Sequence, residues 1–373
     1  MAGVTSGPIV YFAGGGTGGH IFPNVAIVQR VGAMGRSITP HFLVSNRDID
    51  QRLLDPLGYD ATALIASPFT AHPLRMPRFA RNYLAAQRQC LRLFERLQPA
   101  AVVATGGFVS APAVKAAARC GIPVALVNLD AVPGRANRWC AKDATEVFTA
   151  YAEAGLPRAQ RIGVPLRREA AERVDADEAR WELGLRPGVE TVLITAGSQG
   201  ASTINRMAME MAGRAAHRRA FQGRQVLHLS GREMRDEVAA AYEKAGVSAR
   251  VEAFCESMGL AWSAATIAVS RAGAGSVAEA WRHAVPTIFM PYPFHKDEHQ
   301  KRNAEPLVNA GGAMLLRDRV DPAANVAEVA GPLTTLLEGE ARRSKMSHAA
   351  AASRPPDGAE AVAKWLLSIG AAR

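Results

Sequence analysis

Short apolar runs rich in β-branched residues alternate with longer amphipathic segments along most of the chain. The runs predict buried strands, and the segments between them, with apolar residues at helical spacing, predict helices. Strands that alternate with helices are typical of βαβ units and a parallel sheet. In the first half we predict strands at 9–13, 41–44, 61–65, 101–104, 124–127 and 146–149, and helices at 22–34, 77–97, 111–120 and 134–141.

The second half repeats this pattern after a loop at 163–167 and a charged stretch that ends at Pro187. We therefore expect two α/β domains, 1–165 and 166–354. A stop signal and a start signal at 354–358 precede a last amphipathic helix within 355–373, which we expect to pack on the first domain. In this half we predict strands at 191–196, 225–229, 249–253, 266–269, 287–290 and 313–316, and helices at 202–216, 233–245, 275–283 and 299–310.

The composition is that of a globular protein with basic character. Apolar residues make up 48% and charged residues 21% of the 373 positions, and the net charge is +10. So large a positive charge indicates nucleic acid, an anionic membrane or phosphorylated substrates. Aromatic residues are only 6%, and no known nucleic-acid module is recognisable. We expect no nucleic-acid partner, and a phosphate-bearing substrate or an anionic lipid surface instead.

The cysteines predict neither disulfides nor a metal site. Cys90, Cys120, Cys140 and Cys255 are scattered singly, without a CxxC pair or histidines at ligand spacing. We expect reduced thiols, as in a cytosolic protein, and no metal. The first eight residues lack the features of a signal peptide, and no apolar run approaches the roughly 20 residues of a membrane span.

Two glycine-rich turns each follow a predicted strand and precede a predicted helix, at 14–19 and 197–201. Backbone N–H groups at such a helix start can bind an anion, although glycine turns also occur for purely structural reasons. His20 follows the first turn. There it faces the positive end of the helix dipole, which favours the neutral, proton-accepting ring. Simple packing is the alternative role for a single histidine in this position.

Two further segments carry candidate chemistry. Small residues at 270–276 open a helix after a strand and allow a diphosphate to approach the backbone. Glu279, one turn later, suits the paired hydroxyls of a ribose, or is a solvated surface residue. The segment 291–304 offers His299, Gln300 and Asn303 at helical spacing. These groups can bind sugar hydroxyls. Alternatively, Asp297 caps the helix and the charged side chains of the segment are simply exposed to water.

Together these motifs resemble the MurG family of N-acetylglucosaminyltransferases, which belongs to glycosyltransferase family 28 and has the GT-B fold. The resemblance implies an α/β protein with two Rossmann-like domains whose parallel sheets face a central cleft. The matching segments are 15–23, 105–110, 163–167, 197–201, 254–258, 271–279 and 297–304.

The resemblance implies a UDP-N-acetylglucosamine site on the second domain and a site for a lipid-linked muramoyl-peptide acceptor on the first. Phe254 would cover the uracil, Cys255 would contact its edge and Glu279 would hold the ribose. Arg167, Ser198, Gln199, Ala274, Gly275 and Ser276 would approach the diphosphate, and His299 and Gln300 the sugar. The acceptor residues would be Thr17, Gly18, Gly19, Gly106, Gly107 and Ser110.

The implied reaction is direct displacement with inversion at the anomeric carbon, without a cofactor or a metal. The attacking 4-hydroxyl must lose a proton, and His20 is the candidate base. Asp130 is a second candidate, because it stands where the family carries an amide. Two alternatives stay open: the same chemistry on another acceptor, or a UDP-sugar epimerase or non-catalytic sugar-nucleotide binder of the same fold.

The segment 69–98 combines six arginines with apolar residues and a single acid, Glu95. A basic amphipathic helix of this kind binds an anionic membrane surface, although it could equally cover the first sheet. With the family resemblance we expect a peripheral protein on the cytoplasmic face of the inner membrane. The arginines are Arg75, Arg78, Arg81, Arg88, Arg92 and Arg96.

Overall fold

The computed structural model describes residues 7–70, 72, 74–196 and 201–372. In chain order its strands are β1 Ile9–Gly14, β2 Thr39–Ser45, β3 Asp60–Leu64, β4 Ala101–Gly106, β5 Val124–Asn128, β6 Glu146–Thr149, β7 Ala159–Arg161, β8 Thr191–Thr195, β9 Gln225–Leu229, β10 Ala249–Glu252, β11 Ile267–Ser270, β12 Thr287–Phe289 and β13 Ala313–Leu315.

The helices follow the strands as the alternating pattern requires. They are α1 Gly18–Ala33, α2 Asp48–Leu54, α3 Met76–Leu97, α4 Ser110–Arg119, α5 Arg135–Cys140, α6 Arg168–Ala171, α7 Ala176–Glu182, α8 Ser202–Gly213, α9 Ala215–Arg218, α10 Arg235–Ala245, α11 Met258–Ala264, α12 Ala274–His283, α13 His299–Asn309, α14 Pro322–Glu338, α15 Glu340–Ala352 and α16 Gly358–Ser368.

The chain forms two compact units. The first contains residues 1–167 and 355–373, and the second contains residues 168–354. Helix α16 belongs to the first unit, where it packs on α1. A glycine is required at its first position, because a Cβ on Gly358 would lie 1.8 Å from the carbonyl oxygen of Gly163. This close backbone approach and an ion pair between Arg30 and Asp357 attach the C-terminal helix to the first unit.

The first unit is built on a seven-stranded sheet of order β3-β2-β1-β4-β5-β6-β7, and every pair is parallel. All residues of β4 and β5 are buried, which is why these strands appear as continuous apolar runs in the sequence. Helices α3 and α4 cover one face of the sheet. There Tyr11 packs edge-on against Phe94, with ring centroids 5.1 Å apart.

The second unit repeats the arrangement with a six-stranded parallel sheet of order β10-β9-β8-β11-β12-β13. Both sheets thus have the doubly wound order in which the fourth strand lies beside the first. The prediction of two Rossmann-like, parallel-sheet domains is confirmed.

The structure differs from the predicted elements at the start of one helix, at one edge strand and in several helices. Helix α1 begins at Gly18 rather than Phe22, because Pro23 is tolerated inside it and is not its start. The short edge strand β7 was not predicted, since its residues are intermediate or exposed and produce no apolar run. The short helices α2, α6, α7 and α11 and the longer helices α14 and α15 were also not predicted. Pro332 interrupts the pattern of α14, whose buried leucines nevertheless pack in the second core.

Candidate active site

Each sheet has a switch point, between β1 and β4 in the first unit and between β8 and β11 in the second. Ligands of open α/β sheets bind beyond the carboxyl ends of the strands at this point. The loop 14–17 and the turn 106–109 lie there in the first unit, and the loop 271–273 lies there in the second. Ser198 and Gln199, in the loop after β8, are outside the described residues.

The glycine loop of the first unit is held by a buried carboxylate. Asp50, on α2, is fully buried and accepts hydrogen bonds from Gly16 N at 2.8 Å to each oxygen, from Ser45 N at 2.8 Å and from Ser45 Oγ at 2.5 Å. Gly16 has φ +90°, a left-handed conformation that favours glycine. Asp50 therefore fixes the path of the loop before α1. Asp50 carries no sequence motif, and the nearby Asp48 on the same short helix is exposed.

His20 lies in the first turn of α1, and its backbone N–H bonds to Thr17 O at 3.1 Å. Its Nδ1 is 3.2 Å from the carbonyl oxygen of Thr105, at the end of β4. A carbonyl oxygen can only accept, so Nδ1 carries the proton in this contact. In a neutral ring Nε2 is then the proton acceptor. The structure thus brings His20 together with the predicted turn at 106–107.

The turn after β4 needs both of its glycines. Gly106 and Gly107 have φ +111° and +77°, and a Cβ on Gly106 would lie 3.2 Å from His20 Cε1. Ser110 is fully buried, and its Oγ donates to Gly106 O at 2.6 Å and accepts from Gly106 N at 3.1 Å. Ser110 was expected to contact the acceptor. In the structure the hydroxyl braces the turn from inside.

A polar network after β5 lies beside this turn. Asn137 Nδ2 donates to Asn128 Oδ1 at 3.0 Å, and Asn128 Nδ2 donates to the backbone oxygen of Asp130 at 2.8 Å. The Oδ1 of Asn137 is buried without a hydrogen-bond partner among the described residues, 3.1 Å from where a Cβ of Gly106 would lie. An unpaired buried acceptor of this kind is a candidate ligand contact. Asn137 is thus a candidate site residue that was not predicted, since a single asparagine in a helix carries no motif.

Asp130 follows β5 and is partly exposed. Burial raises the pKa of Tyr151, and the nearby Asp130 carboxylate raises it further. Because β5 is parallel to β4 and lies beside it, Asp130 lies at the same edge of the sheet as His20.

Two arginines of the first unit lie near the glycine loop and α1. Arg47 Nη1 approaches Gly16 O at 3.4 Å, and its guanidinium lies over the Phe108 ring at 5.3 Å. Arg47 is exposed and was not predicted from the sequence. Arg167, predicted to approach the donor diphosphate, is largely buried, with its guanidinium 3.8 Å from the centre of the Phe22 ring.

In the second unit, α12 begins directly after the loop that follows β11. Among the described residues no side chain caps its N-terminus, and a Cβ on Gly273 or Gly275 would meet no described atom within 4 Å. The first turn, which contains Ala274 and Ser276, is thus open to a ligand. Glu279 lies one turn further along the helix, and its Oε2 accepts a hydrogen bond from Trp262 Nε1 at 2.9 Å.

The predicted uracil contacts follow β10. Phe254 is 41% exposed, so its ring is accessible to a ligand. Cys255 Sγ donates to Ser257 O at 3.3 Å. Burial raises the pKa of the Cys255 thiol to about 11, and Glu279 is among the carboxylates that add to the rise. The structure therefore brings Cys255 and Glu279 within electrostatic reach of each other.

A buried ion pair holds the carboxyl ends of this sheet together. Arg271 Nη1 lies 2.7 Å from Asp318 Oδ2 and donates to Met290 O at 2.7 Å, while Nη2 donates to Thr203 Oγ1 at 2.6 Å. Burial alone would raise the pKa of Asp318. Hydrogen bonds from Thr203, Asn325 and the Val320 N–H, together with Arg271, hold that pKa below its ordinary value. The network connects β11, β12 and the start of α8.

The predicted sugar contacts lie at the start of α13. His299 Nδ1 pairs with Asp297 Oδ1 at 2.9 Å, and this hydrogen bond lowers the pKa of Asp297. Gln300 Oε1 accepts from Tyr292 N at 2.9 Å. Asn303 is fully buried and donates to Ala272 O at 3.3 Å, so it connects α13 to the loop after β11.

A cavity of about 520 Å³ in the second unit lies away from these loops. It is lined by Thr266 and Pro286, which precede β11 and β12, and therefore opens at the amino edge of the sheet. Across the described part of the chain, no group of three or more His, Cys, Asp or Glu side chains is arranged to hold a metal ion. The described helices also include none that is long and apolar enough to cross a bilayer.

Comparison with known proteins gives first the class of the chain, a glycosyltransferase, and then its family. The model of the glycosyltransferase family 28 N-terminal domain matches residues 10–149, and that of the C-terminal domain matches residues 191–362. A protein from a Nocardioides species is 34% identical over 371 residues, which cover 97% of this chain and 98% of that protein. It is named UDP-N-acetylglucosamine–N-acetylmuramyl-(pentapeptide) pyrophosphoryl-undecaprenol N-acetylglucosamine transferase. The chain belongs to glycosyltransferase family 28, among its MurG-type members, as the sequence motifs predicted.

Solved structures support the fold. The crystal structure of MurG from Acinetobacter baumannii has a TM-score of 0.73 at 23% identity, covering 96% of this chain and 99% of that one. A UDP-N-acetylglucosamine 2-epimerase has a TM-score of 0.63 at 16% identity, covering 98% of this chain and 97% of that one. Because both enzyme classes share the fold, the fold by itself does not distinguish a transferase from an epimerase.

Proposed function

We propose that the chain transfers N-acetylglucosamine from UDP-N-acetylglucosamine to the 4-hydroxyl of lipid I, the undecaprenyl-diphospho-N-acetylmuramoyl peptide, and thereby forms lipid II. The observation that carries this proposal is the 34% identity, over nearly the full length of both chains, to a relative named for this reaction. The two loop sites at the sheet switch points supply the chemistry that the reaction needs.

On the donor side, Phe254 and Cys255 hold the uracil and Glu279 holds the ribose. The diphosphate lies at the open first turn of α12, at Ala274, Gly275 and Ser276, where the N–H donors and the helix dipole stabilise negative charge. Ser198, Gln199 and Arg167 complete this site in the proposal. His299 and Gln300 bind the sugar hydroxyls.

On the acceptor side, the glycine loop and the turn after β4 receive the lipid diphosphate through Thr17, Gly18, Gly19, Gly106 and Gly107. We add Arg47 to this site, because an exposed guanidinium beside Gly16 supplies a positive charge for the diphosphate. We also add Asn137, whose buried Oδ1 offers an acceptor beside Gly106.

The chemical step follows from the tautomer of His20. Nε2 takes the proton of the 4-hydroxyl while the hydroxyl oxygen attacks the anomeric carbon. The bond to UDP breaks, and its electron pair leaves with the diphosphate, which the first turn of α12 stabilises. Attack from the face opposite UDP inverts the anomeric centre. Asp130 is the second candidate for the proton acceptor.

The decisive experiment incubates the full chain with radiolabelled UDP-N-acetylglucosamine and a soluble lipid I analogue. Labelled disaccharide product is expected for the wild type. It should fall strongly for His20→Ala but not for His348→Ala, a control at an exposed histidine on α15. Nucleotide epimerised without transfer would contradict the proposal and support an epimerase. Transfer to another lipid only would assign a different acceptor, which the aspartate at position 130 would then help explain.

We also propose that the N-terminal half of α3 binds an anionic membrane, on the cytoplasmic face of the cell membrane. The buried residues of α3 are Ala86, Cys90 and Phe94, so its second half covers the sheet. In the segment that leads into α3, the side chain of Leu74 is 86% exposed and that of Phe69 is 50% exposed. None of the six arginines of 69–98 forms an ion pair among the described residues. Exposed apolar groups beside unpaired cations are typical of peripheral membrane contacts.

Binding to vesicles containing an anionic phospholipid tests this contact. Replacement of Arg75, Arg78 and Arg81 by Gln should weaken binding by roughly 100-fold, at about 1 kcal/mol for each cation near the surface. The matched control replaces Arg36, Arg119 and Arg161, which are also exposed in the first unit. Equal losses in both variants would show only a general effect of net charge and would refute this surface.

A further inference from the structure

One predicted residue of the donor site, Glu279, is hydrogen-bonded to a tryptophan that was not predicted to belong to the site. Trp262 on α11 is fully buried, and its Nε1 donates a 2.9 Å hydrogen bond to Glu279 Oε2 on α12. An indole N–H can only donate, and in a buried position it needs an acceptor. Here the acceptor is the side chain that the proposed function assigns to the ribose.

This hydrogen bond restricts a flexible side chain. A glutamate has three rotatable bonds and loses much rotamer freedom when it is fixed. A rigid, fully buried indole ring holds one carboxylate oxygen in place before any ligand arrives, so binding does not include the cost of that ordering. Cys255, at the proposed uracil position, lies within electrostatic reach of the same carboxylate. The fixed carboxylate therefore lies in the same part of the second unit as the residue that the proposed function assigns to the base.

We infer that Trp262 is a positioning residue for the ribose subsite, which holds Glu279 in the orientation that selects a nucleotide with both ribose hydroxyls. This inference rests on the proposed function and adds to it the residue that determines sugar specificity within the nucleoside. Trp262 does not touch the ligand and acts through Glu279.

The test measures binding of UDP and of 2′,3′-dideoxyuridine 5′-diphosphate to the full chain by calorimetry. Trp262→Phe keeps an aromatic ring but removes the N–H. It should weaken UDP binding by up to about tenfold, because the ligand must then order the Glu279 side chain itself. Binding of the dideoxy analogue should change less than about twofold, because the analogue lacks the hydroxyls that Glu279 holds. A purely structural role would weaken both ligands equally.

The chain offers a matched control in the same unit. Trp281 is 6% exposed, and its Nε1 donates to Ser353 Oγ at 3.1 Å. Trp281→Phe therefore makes the same chemical change at another buried indole, and the preference for UDP over the dideoxy analogue should stay at the wild-type value. In a Glu279→Ala background, Trp262→Phe should have no further effect on either ligand.

A second measurement is available if Trp262→Phe does not fold. Wild type and Glu279→Ala are each labelled with ¹⁵N-tryptophan, and their spectra are compared. One of the five indole N–H signals of the wild type should lie further upfield in the Glu279→Ala spectrum. The same signal should respond to UDP more than to the dideoxy analogue. This inference alone is overturned if the wild type binds UDP but Trp262→Phe weakens binding of both ligands equally. It is likewise overturned if the wild type binds UDP but the indole signal responds equally to both ligands. A wild type that binds neither ligand would overturn the proposed function, and this inference with it.

Discussion

Asp50 provides the sharpest test of how the first glycine loop is built. Its carboxylate is fully buried and accepts four contacts from three donors, Gly16 N, Ser45 N and Ser45 Oγ, at 2.5–2.8 Å. Asp50→Asn keeps the shape of the side chain but replaces one oxygen by an NH₂ group. Because Gly16 N lies 2.8 Å from both oxygens, the new donor must face a backbone donor in either orientation.

The cost follows from this geometry. One charge-assisted hydrogen bond is worth about 1.5–3 kcal/mol, and the buried N–H is left facing another donor. We therefore expect a loss of about 2–3 kcal/mol in the free energy of unfolding. In a unit of this size that loss lowers the unfolding midpoint by roughly 4–12 °C. If Gly16 also moves, KM for the acceptor should rise while KM for UDP-N-acetylglucosamine stays unchanged.

Calorimetric unfolding and steady-state transfer kinetics measure the two effects. The matched control is Asp48→Asn on the same helix. The Asp48 side chain is 86% exposed, and its ion pair with Arg52 is long, with 3.9 Å between the charged atoms. The control should behave as the wild type does. If Asp50→Asn and Asp48→Asn have the same midpoint and the same acceptor KM, Asp50 does not hold the loop and the reasoning is refuted.

Three further predictions follow from the site and the second core. His20→Ala should lower kcat by about 10²–10⁴-fold and leave the affinity for UDP nearly unchanged, whereas an unchanged kcat in both His20→Ala and Asp130→Asn would remove both proposed bases. Arg271→Met should destabilise the second unit by about 3–5 kcal/mol in thermal unfolding, because it leaves the buried Asp318 without its cation; a loss below about 1 kcal/mol would show that the ion pair contributes little. Burial lowers the pKa of His228 to about 3, below its unfolded value near 6.5. As the pH falls from 6.5 towards 3, only the unfolded state therefore gains this proton. The free energy of unfolding should fall by up to about 1.4 kcal/mol per pH unit between these values. In His228→Gln the pH dependence of the unfolding free energy between pH 6.5 and 5 should be shallower, and an unchanged slope would contradict the assignment.

Some of the site was predictable because its signal is local. The glycines at 14–19 and 106–107 and the small residues at 273–276 follow apolar runs, and the carboxyl ends of parallel strands converge at one edge of a sheet. Glu279 and His20 could be found by their distance from those turns. The family followed from the order of the motifs, and the relatives confirm it.

Other residues could not be predicted, because their roles depend on contacts between distant parts of the chain. Asp50 is one of several acidic residues in a polar segment, and only the packing of α2 against the glycine loop makes it buried. Trp262 reads as an ordinary core aromatic until α11 and α12 place its N–H on Glu279. The motif around Ser110 predicted a ligand contact, and only the structure shows that its buried hydroxyl is bonded to the turn after β4.

The sequence by itself determined the two parallel sheets, the position of the glycine turns and the family, because hydrophobic periodicity and turn chemistry act over a few residues. Only the tertiary structure decided which polar groups are buried and what they hold: Asp50 on Gly16, Trp262 on Glu279, and Arg271 on Asp318. The physical reason is that a buried polar group must find its partner in space, and in each of these pairs the partner comes from another element of the fold.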